Sequence, residues 1–87
     1  MYAMNNKQRQ TLNKILEKSE RSDIPWSNIE SLIIALGGEI SEGRGSRVRM
    51  VLNDVKAVFH RPHPGRAAEK GAVKSVRRFL QEAGVIS

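Results

Sequence analysis

The sequence predicts an α+β fold of two layers, with the order α-β-β-β-α and an additional helix in front. Three observations predict it. Residues 47–60 form two runs of alternating character joined at Asn53-Asp54, as the half-buried strands of a hairpin do. The segments 27–36 and 68–83 carry apolar residues at helical spacing, and each stops at a glycine. At 87 residues the chain has the size of one small domain with a thin but sufficient core.

Taken in order, residues 1–6 read as a loose end. Residues 7–20 have helical spacing at Leu12, Ile15, Leu16 and Ser19, but the segment is polar enough to need docking to persist. A break follows at 22–25, because Pro25 pushes Ile24 out of helical geometry. Trp26 reads as a core or anchor residue in front of Ser27-x-x-Glu30, a capping-box pattern. Ile29, Leu32, Ile33 and Leu36 then recur on one helical face, Ile34 and Ala35 widen it, and Gly37-Gly38 ends the helix. Glu39–Glu42 is a candidate first strand with Ile40 inward, and Gly43-Arg44-Gly45 makes a tight turn.

The two-residue connection fixes the pairing of the hairpin strands Arg47–Leu52 and Val55–His60. Val48 then faces Phe59, Met50 faces Ala57 and Leu52 faces Val55, an apolar underside. On the other face Arg47 opposes His60, Arg49 opposes Val58 and Val51 opposes Lys56, a basic top. Pro62 and Pro64 stop strand pairing, and Gly65-Arg66 continues a loop. The last helix, 68–83, has Val73, Val76, Leu80 and Ala83 on its apolar face, with Ala72 and Phe79 alongside and Gly84 as its stop. Lys70, Lys74 and Arg77 form a second stripe. The domain division expected is a helical N-terminal extension over 1–22 and a main domain over 23–87.

Formal net charge is +6, from 15 Lys+Arg against 9 Asp+Glu. Such a balance favours a polyanionic partner, nucleic acid first, with an anionic membrane surface or an acidic protein second. The chain has no cysteine, which removes disulfides, thiolate catalysis and Cys-based zinc sites together. No apolar run approaches the ~20 residues of a membrane span, and no signal-peptide core is visible. A cytoplasmic protein that does not enter membranes is the expectation. Gly43-Arg44-Gly45-Ser46 is too short for a P-loop and lacks its Gly-Lys-Ser/Thr ending, which excludes nucleotide hydrolysis by that motif.

The α-β-β-β-α order resembles that of a double-stranded-RNA-binding domain. With the Gly45-Ser46 turn, a third strand running into Val58-Phe59-His60-Arg61-Pro62-His63-Pro64, and the closing helix ending Arg78-Phe79-Leu80-Gln81-Glu82-Ala83-Gly84, the chain resembles HicA toxins from about Ile29 to Val85. That resemblance implies an mRNA interferase of a type II toxin–antitoxin pair: an endoribonuclease that blocks translation and is neutralised by a HicB-like antitoxin. One departure matters. Many members carry Gly-Ser-His at the start of the strand, with that histidine catalytic, whereas here the triplet is Gly45-Ser46-Arg47, so the role does not transfer. The hairpin register instead places His60 across from position 47, where cross-strand Cβ atoms lie ~4.5–5.5 Å apart.

RNA cleavage by the adjacent ribose 2′-OH needs a proton acceptor, a proton donor and cations on the charged phosphorane. Histidine suits the proton steps because its unperturbed pKa is ~6.5, and arginine suits the phosphate through its permanently charged fork. The candidate catalytic residues are therefore His60 and, second, His63. Arg44, Arg47, Arg49, Lys56, Arg61, Arg66, Lys70, Lys74 and Arg77 are the candidate RNA and phosphate contacts. The two aspartates, Asp23 and Asp54, sit in a loop and a turn, so no converging carboxylates for a two-metal site are visible, and neither metal nor small-molecule cofactor is expected.

Each feature also has a plainer explanation. His60 and His63 could be polar loop formers beside prolines. Arg47, Arg49 and Lys56 could be a solvated sheet face, although no acid is expected to be interleaved there. A non-enzymatic RNA-binding module of the same topology, gripping duplex RNA by shape and phosphate, is the alternative function.

Overall fold

The computed structural model describes residues 4–17, 24–62 and 66–86. Its elements are α1 (Asn6–Leu16), α2 (Trp26–Ala35), β1 (Glu39–Glu42), β2 (Arg47–Leu52), β3 (Val55–His60) and α3 (Lys70–Glu82). The strands form one antiparallel sheet in the order β1-β2-β3. Helix α2 lies against β1 and α3 against β3, while α1 packs on both α2 and α3. This is the α+β arrangement of a double-stranded-RNA-binding domain with one extra helix.

The hairpin has the register that its turn dictates, with Arg47 opposite His60, Val48 opposite Phe59 and Leu52 opposite Val55. Asn53 and Asp54 both take positive φ, 50° and 67°, the conformation a two-residue turn needs to match strand twist. Asn53 also donates through Nδ2 to the carbonyl of Ala83 at 2.8 Å, pinning the turn to the end of α3. On the inner face Val48, Met50 and Leu52 are buried, together with Phe59. Phe59 sits between two other rings, 5.9 Å from Trp26 of α2 and 5.9 Å from Phe79 of α3. Edge-biased ring pairs of this kind add to simple area burial. One aromatic line thus joins both flanking helices across the last strand.

Both flanking helices end alike. Gly37 takes φ +89°, its N–H donates to Ile34, and the N–H of Gly38 donates to Ile33 at 2.9 Å. Gly84 and Val85 repeat the pattern on Gln81 and Leu80. These paired bonds satisfy carbonyls that a helix end otherwise leaves open.

The helix starts differ from expectation. Helix α2 begins at Trp26, with Pro25 as its cap and no side-chain capping bond. Ser27 therefore lies inside the first turn, and Glu30 has other partners. A capping box does exist, at α1: Asn5 accepts from the N–H of Gln8 while Gln8 accepts from the N–H of Asn5. The stretch expected to be loose thus starts a helix, and Met4 packs against the core. Helix α1 ends at Leu16, with Glu17 as an extended cap; residues 18–20 lie outside the described residues. Ile34 is 61% exposed rather than part of the apolar face, and Leu16 is exposed as well. Helix α3 starts at Lys70, because Ala68 is used in pairing with the segment that enters α2: its N–H donates to the carbonyl of Ile24 at 2.7 Å.

The core runs from Ile15 of α1 through α2 and the sheet to α3 in a single cluster. Ile15 has no exposed surface. Helix α1 thus contributes Ile15 to the core shared by the sheet and the other two helices.

Candidate functional site

The face of the sheet away from the core carries three cross-strand rows. Glu39, Val51 and Lys56 form one, Ser41, Arg49 and Val58 the next, and Arg47 with His60 the last. One acid, Glu39, is therefore interleaved, contributed by β1, at the end of the face far from His60. Charge runs from mixed at the Lys56 end to cationic at the His60 end. Arg47, Arg49 and His60 are all exposed. The loop before β2 is held by its own backbone, with the N–H of Gly43 on the carbonyl of Arg47 at 2.9 Å and the N–H of Arg47 on the carbonyl of Arg44 at 3.1 Å. That closure sets Arg44 and Arg47 close along the chain at the same end as His60.

The next residue along the chain, Arg61, fixes the strand end that carries His60. The N–H of Arg61 donates to the carbonyl of Ser46 at 2.7 Å, extending the hairpin ladder one step past β3. The Arg61 side chain turns back to two acids, reaching Glu42 through Nη1 at 2.6 and 3.0 Å and Glu30 through Nε at 2.8 Å. Glu30 Oε2 also accepts from the indole N–H of Trp26 at 2.5 Å. Bonds from Glu42, then Glu30, hold the Arg61 guanidinium above the usual arginine pKa. Arg61, expected among the phosphate contacts, forms a clamp joining β1, α2 and the end of β3. Sequence reasoning misses this clamp, because Glu30 reads as half of a capping box and Glu42 as the end of a strand.

Arg77 is also engaged within the protein. Its Nε donates to the carbonyl of Ile15 at 2.6 Å and its Nη2 to that of Glu17 at 2.7 Å. The stripe Lys70, Lys74, Arg77 thus divides: Arg77 holds the end of α1, while Lys70 and Lys74 are exposed on α3. Arg66 and Lys56 are exposed too. His63 lies outside the described residues. No three His, Asp or Glu side chains among the described residues converge as metal ligands would.

Beside His60 a cleft of about 420 Å³ opens between β3 and the first turns of α3. Phe59, His60, Pro62, Ala68, Glu69 and Gly71 are among its lining residues. A smaller depression of about 170 Å³ continues along β3 past Val58 towards Lys56 and Arg78. Both lie along the free edge of the sheet, since β3 has a neighbour on one side only.

Residues 26–85 match the family model described as the HicA toxin of bacterial toxin–antitoxin systems, which is more than half of the chain. The chain belongs to the HicA toxin family. No curated protein and no solved structure matches it. Membership in the HicA family makes the chain a toxin by family and implies an antitoxin as the kind of partner. The matched span leaves out α1, although Ile15 sits in the common core. Among the described residues no helix is long and apolar enough to cross a membrane.

Proposed function

We propose that this HicA-family chain is an endoribonuclease that cleaves mRNA without a metal ion, blocks translation, and is neutralised by a HicB-like antitoxin. The observation that carries the reading is the pairing of Arg47 with His60 at the cationic end of an exposed sheet face. In the proposed step the ribose 2′-oxygen attacks phosphorus while its proton passes to a base. The bond from phosphorus to the leaving 5′-oxygen breaks, and that oxygen takes up a proton. His60 carries one of these proton transfers, with His63 as the second carrier. Arg47 binds the scissile phosphate through its fork. Arg49 and Arg44 extend the cationic track on the same end, and Lys56, Arg66, Lys70 and Lys74 contribute from its surroundings. The Arg61 clamp holds the strand end that presents His60. The site acts in the cytoplasm, where messenger is.

The test is cleavage of a single-stranded mRNA by the purified protein. Fragments that persist in EDTA and vanish in His60→Ala, with the fold retained by circular dichroism, support the reading. Full activity in that variant, or strict dependence on magnesium, overturns it. An intact duplex RNA shifted on a gel, with no fragments from single-stranded messenger, would instead favour a non-enzymatic RNA-binding module.

A further inference from the structure

We propose that the cleft between β3 and α3 is a nucleobase-binding subsite, which receives an unstacked base of the RNA beside the bond that His60 acts on. The assignment rests on RNA being the ligand of this face. It goes beyond that reading by giving the enzyme a sequence preference and naming the groups that set it.

Three observations point there. The first is the edge of β3. In a hairpin closed by a two-residue turn, the pair flanking the turn exchanges hydrogen bonds. Leu52 and Val55 are that pair, so Ala57 and Phe59 bond inward to β2, as the Arg61 to Ser46 bond confirms one step further on. The backbone N–H and C=O groups of Lys56, Val58 and His60 consequently face the free edge, and Val58 and His60 line the cleft. A donor and an acceptor fixed on a strand are what a base edge can pair with.

The second is Gly71. It stands within α3, takes no positive φ, and a Cβ built there would meet nothing within 4 Å. Neither backbone conformation nor packing within the protein requires a glycine at this place. Its missing side chain leaves room in the cleft instead, since Gly71 lines it.

The third is the distribution of size and charge. A volume of about 420 Å³ falls in the range of small-molecule sites, ~300–1,000 Å³. The continuation towards Lys56 is far smaller, about 170 Å³. An extended peptide laid along β3 would need even depth, whereas a compact planar group needs one roomy end. That roomy end has His60 on one side and Arg66 and Lys70 adjoining in sequence on the other, which suits a base flanked by phosphates. Phe59, Pro62 and Ala68 supply apolar contact, as single-stranded bases require. Glu69 is the one acid among the described residues of the lining. A carboxylate accepts from an exocyclic amine, as at cytosine N4, so cytosine, adenine or guanine is favoured over uracil.

The experiment is an amide-resolved NMR titration with the four ribonucleoside 5′-monophosphates, with ribose 5-phosphate as the phosphate-only control and a glutamate-rich strand-forming peptide as the protein control. Resonances of Val58, His60, Gly71 and Ala72 should move with at least one amine-bearing nucleotide at concentrations where ribose 5-phosphate leaves them still. Gly71→Phe, which fills the cleft without a clash at its Cβ, should weaken that binding at least tenfold, and Glu69→Gln should erase the preference over uridine monophosphate. Equal shifts from ribose 5-phosphate, indifference to Gly71→Phe, or a response to the peptide alone would each overturn the assignment. RNA cleavage measured in parallel separates the two claims. Nucleotides filling the cleft of a protein that cuts no RNA would sink the nuclease and leave the subsite. Undiminished cleavage with unchanged site preference in Gly71→Phe would sink the subsite and leave the nuclease.

Discussion

Arg61 reaches back from the end of β3 to Glu30 of α2, Nε to Oε2 at 2.8 Å, with side chains 33% and 22% exposed. Glu42 holds the other end of the same guanidinium at 2.6 Å. Arg61→Gln leaves Glu30 bonded to the Trp26 indole and leaves Glu42 at the surface. Charge-assisted hydrogen bonds at partly exposed sites contribute about 1–2 kcal/mol after solvent screening. In a domain of this size that is a fall in Tm of roughly 4–16 °C, readable by calorimetry. The number of counterions released in a salt titration of RNA binding should stay the same. A variant with unchanged Tm and a shallower salt slope would return Arg61 to the phosphate contacts.

Arg77 does for α1 what a cap residue does within one helix, but from a distance. Its guanidinium satisfies carbonyls of Ile15 and Glu17 that the end of α1 leaves open. Arg77→Met keeps the apolar stem and removes the donors. Unfolding free energy should drop by about 1–2 kcal/mol, and amide exchange should accelerate in α1 before it does in β2. Uniform exchange across the chain would show that α1 is held by Ile15 alone.

Salt dependence separates these structural arginines from the ones facing solvent. Removing one cation from a phosphate makes the slope of log K against log salt shallower by ~0.7–0.9. Arg49→Gln on the outer face should show that change with RNA and none in Tm, the reverse of Arg61→Gln. A slope identical to that of the unaltered chain would remove Arg49 from the interface.

How much of this was legible beforehand depends on the range of the interaction. The hairpin register follows from Asn53-Asp54 and the alternation around it, because turn geometry and burial period both act within a few residues. The helix stops at Gly37 and Gly84 are local in the same way. Glu30 shows the limit: three residues after Ser27 it reads as half of a capping box, yet its carboxylate bonds to Trp26 and to Arg61, the latter 31 positions away. Arg77 likewise reads as part of a basic stripe until α1 is folded against it, 62 positions off in sequence. The true capping box at Asn5 and Gln8 was visible as Asn-x-x-Gln, but it lay in a stretch too polar to read as ordered. The cleft was hidden because it depends on which strand is left at the edge.

Two glycines make a paired prediction about close approach. A Cβ on Gly38 would lie 2.6 Å from Cγ2 of Ile33 and 2.9 Å from its carbonyl oxygen, so the turn from α2 into β1 closes only around a bare backbone. Gly38→Ala should cost about 1–3 kcal/mol through that overpacking. Gly71→Ala, in open space within α3, should stabilise by up to about 1 kcal/mol through helix propensity. Denaturant midpoints of the two variants should move in opposite directions. Movement in the same direction would place Gly71 under a packing constraint that its open surroundings do not reveal.

The cross-strand pair itself can be tested by exchange. Arg47 and His60 stand opposite each other on the exposed face, where Cβ atoms of such pairs are ~4.5–5.5 Å apart. An imidazole carried by either strand reaches much the same volume, provided its partner supplies the cation. His60→Ala should abolish RNA cleavage, a loss of at least ~100-fold for one proton carrier. The exchanged variant, Arg47→His with His60→Arg, should recover a measurable part of that loss, because both chemical groups are restored with their positions swapped. Cleavage in the exchanged variant no better than in His60→Ala would mean that the ring must sit on β3, against the mouth of the cleft, and would shift weight from the strand pair to the neighbouring groove.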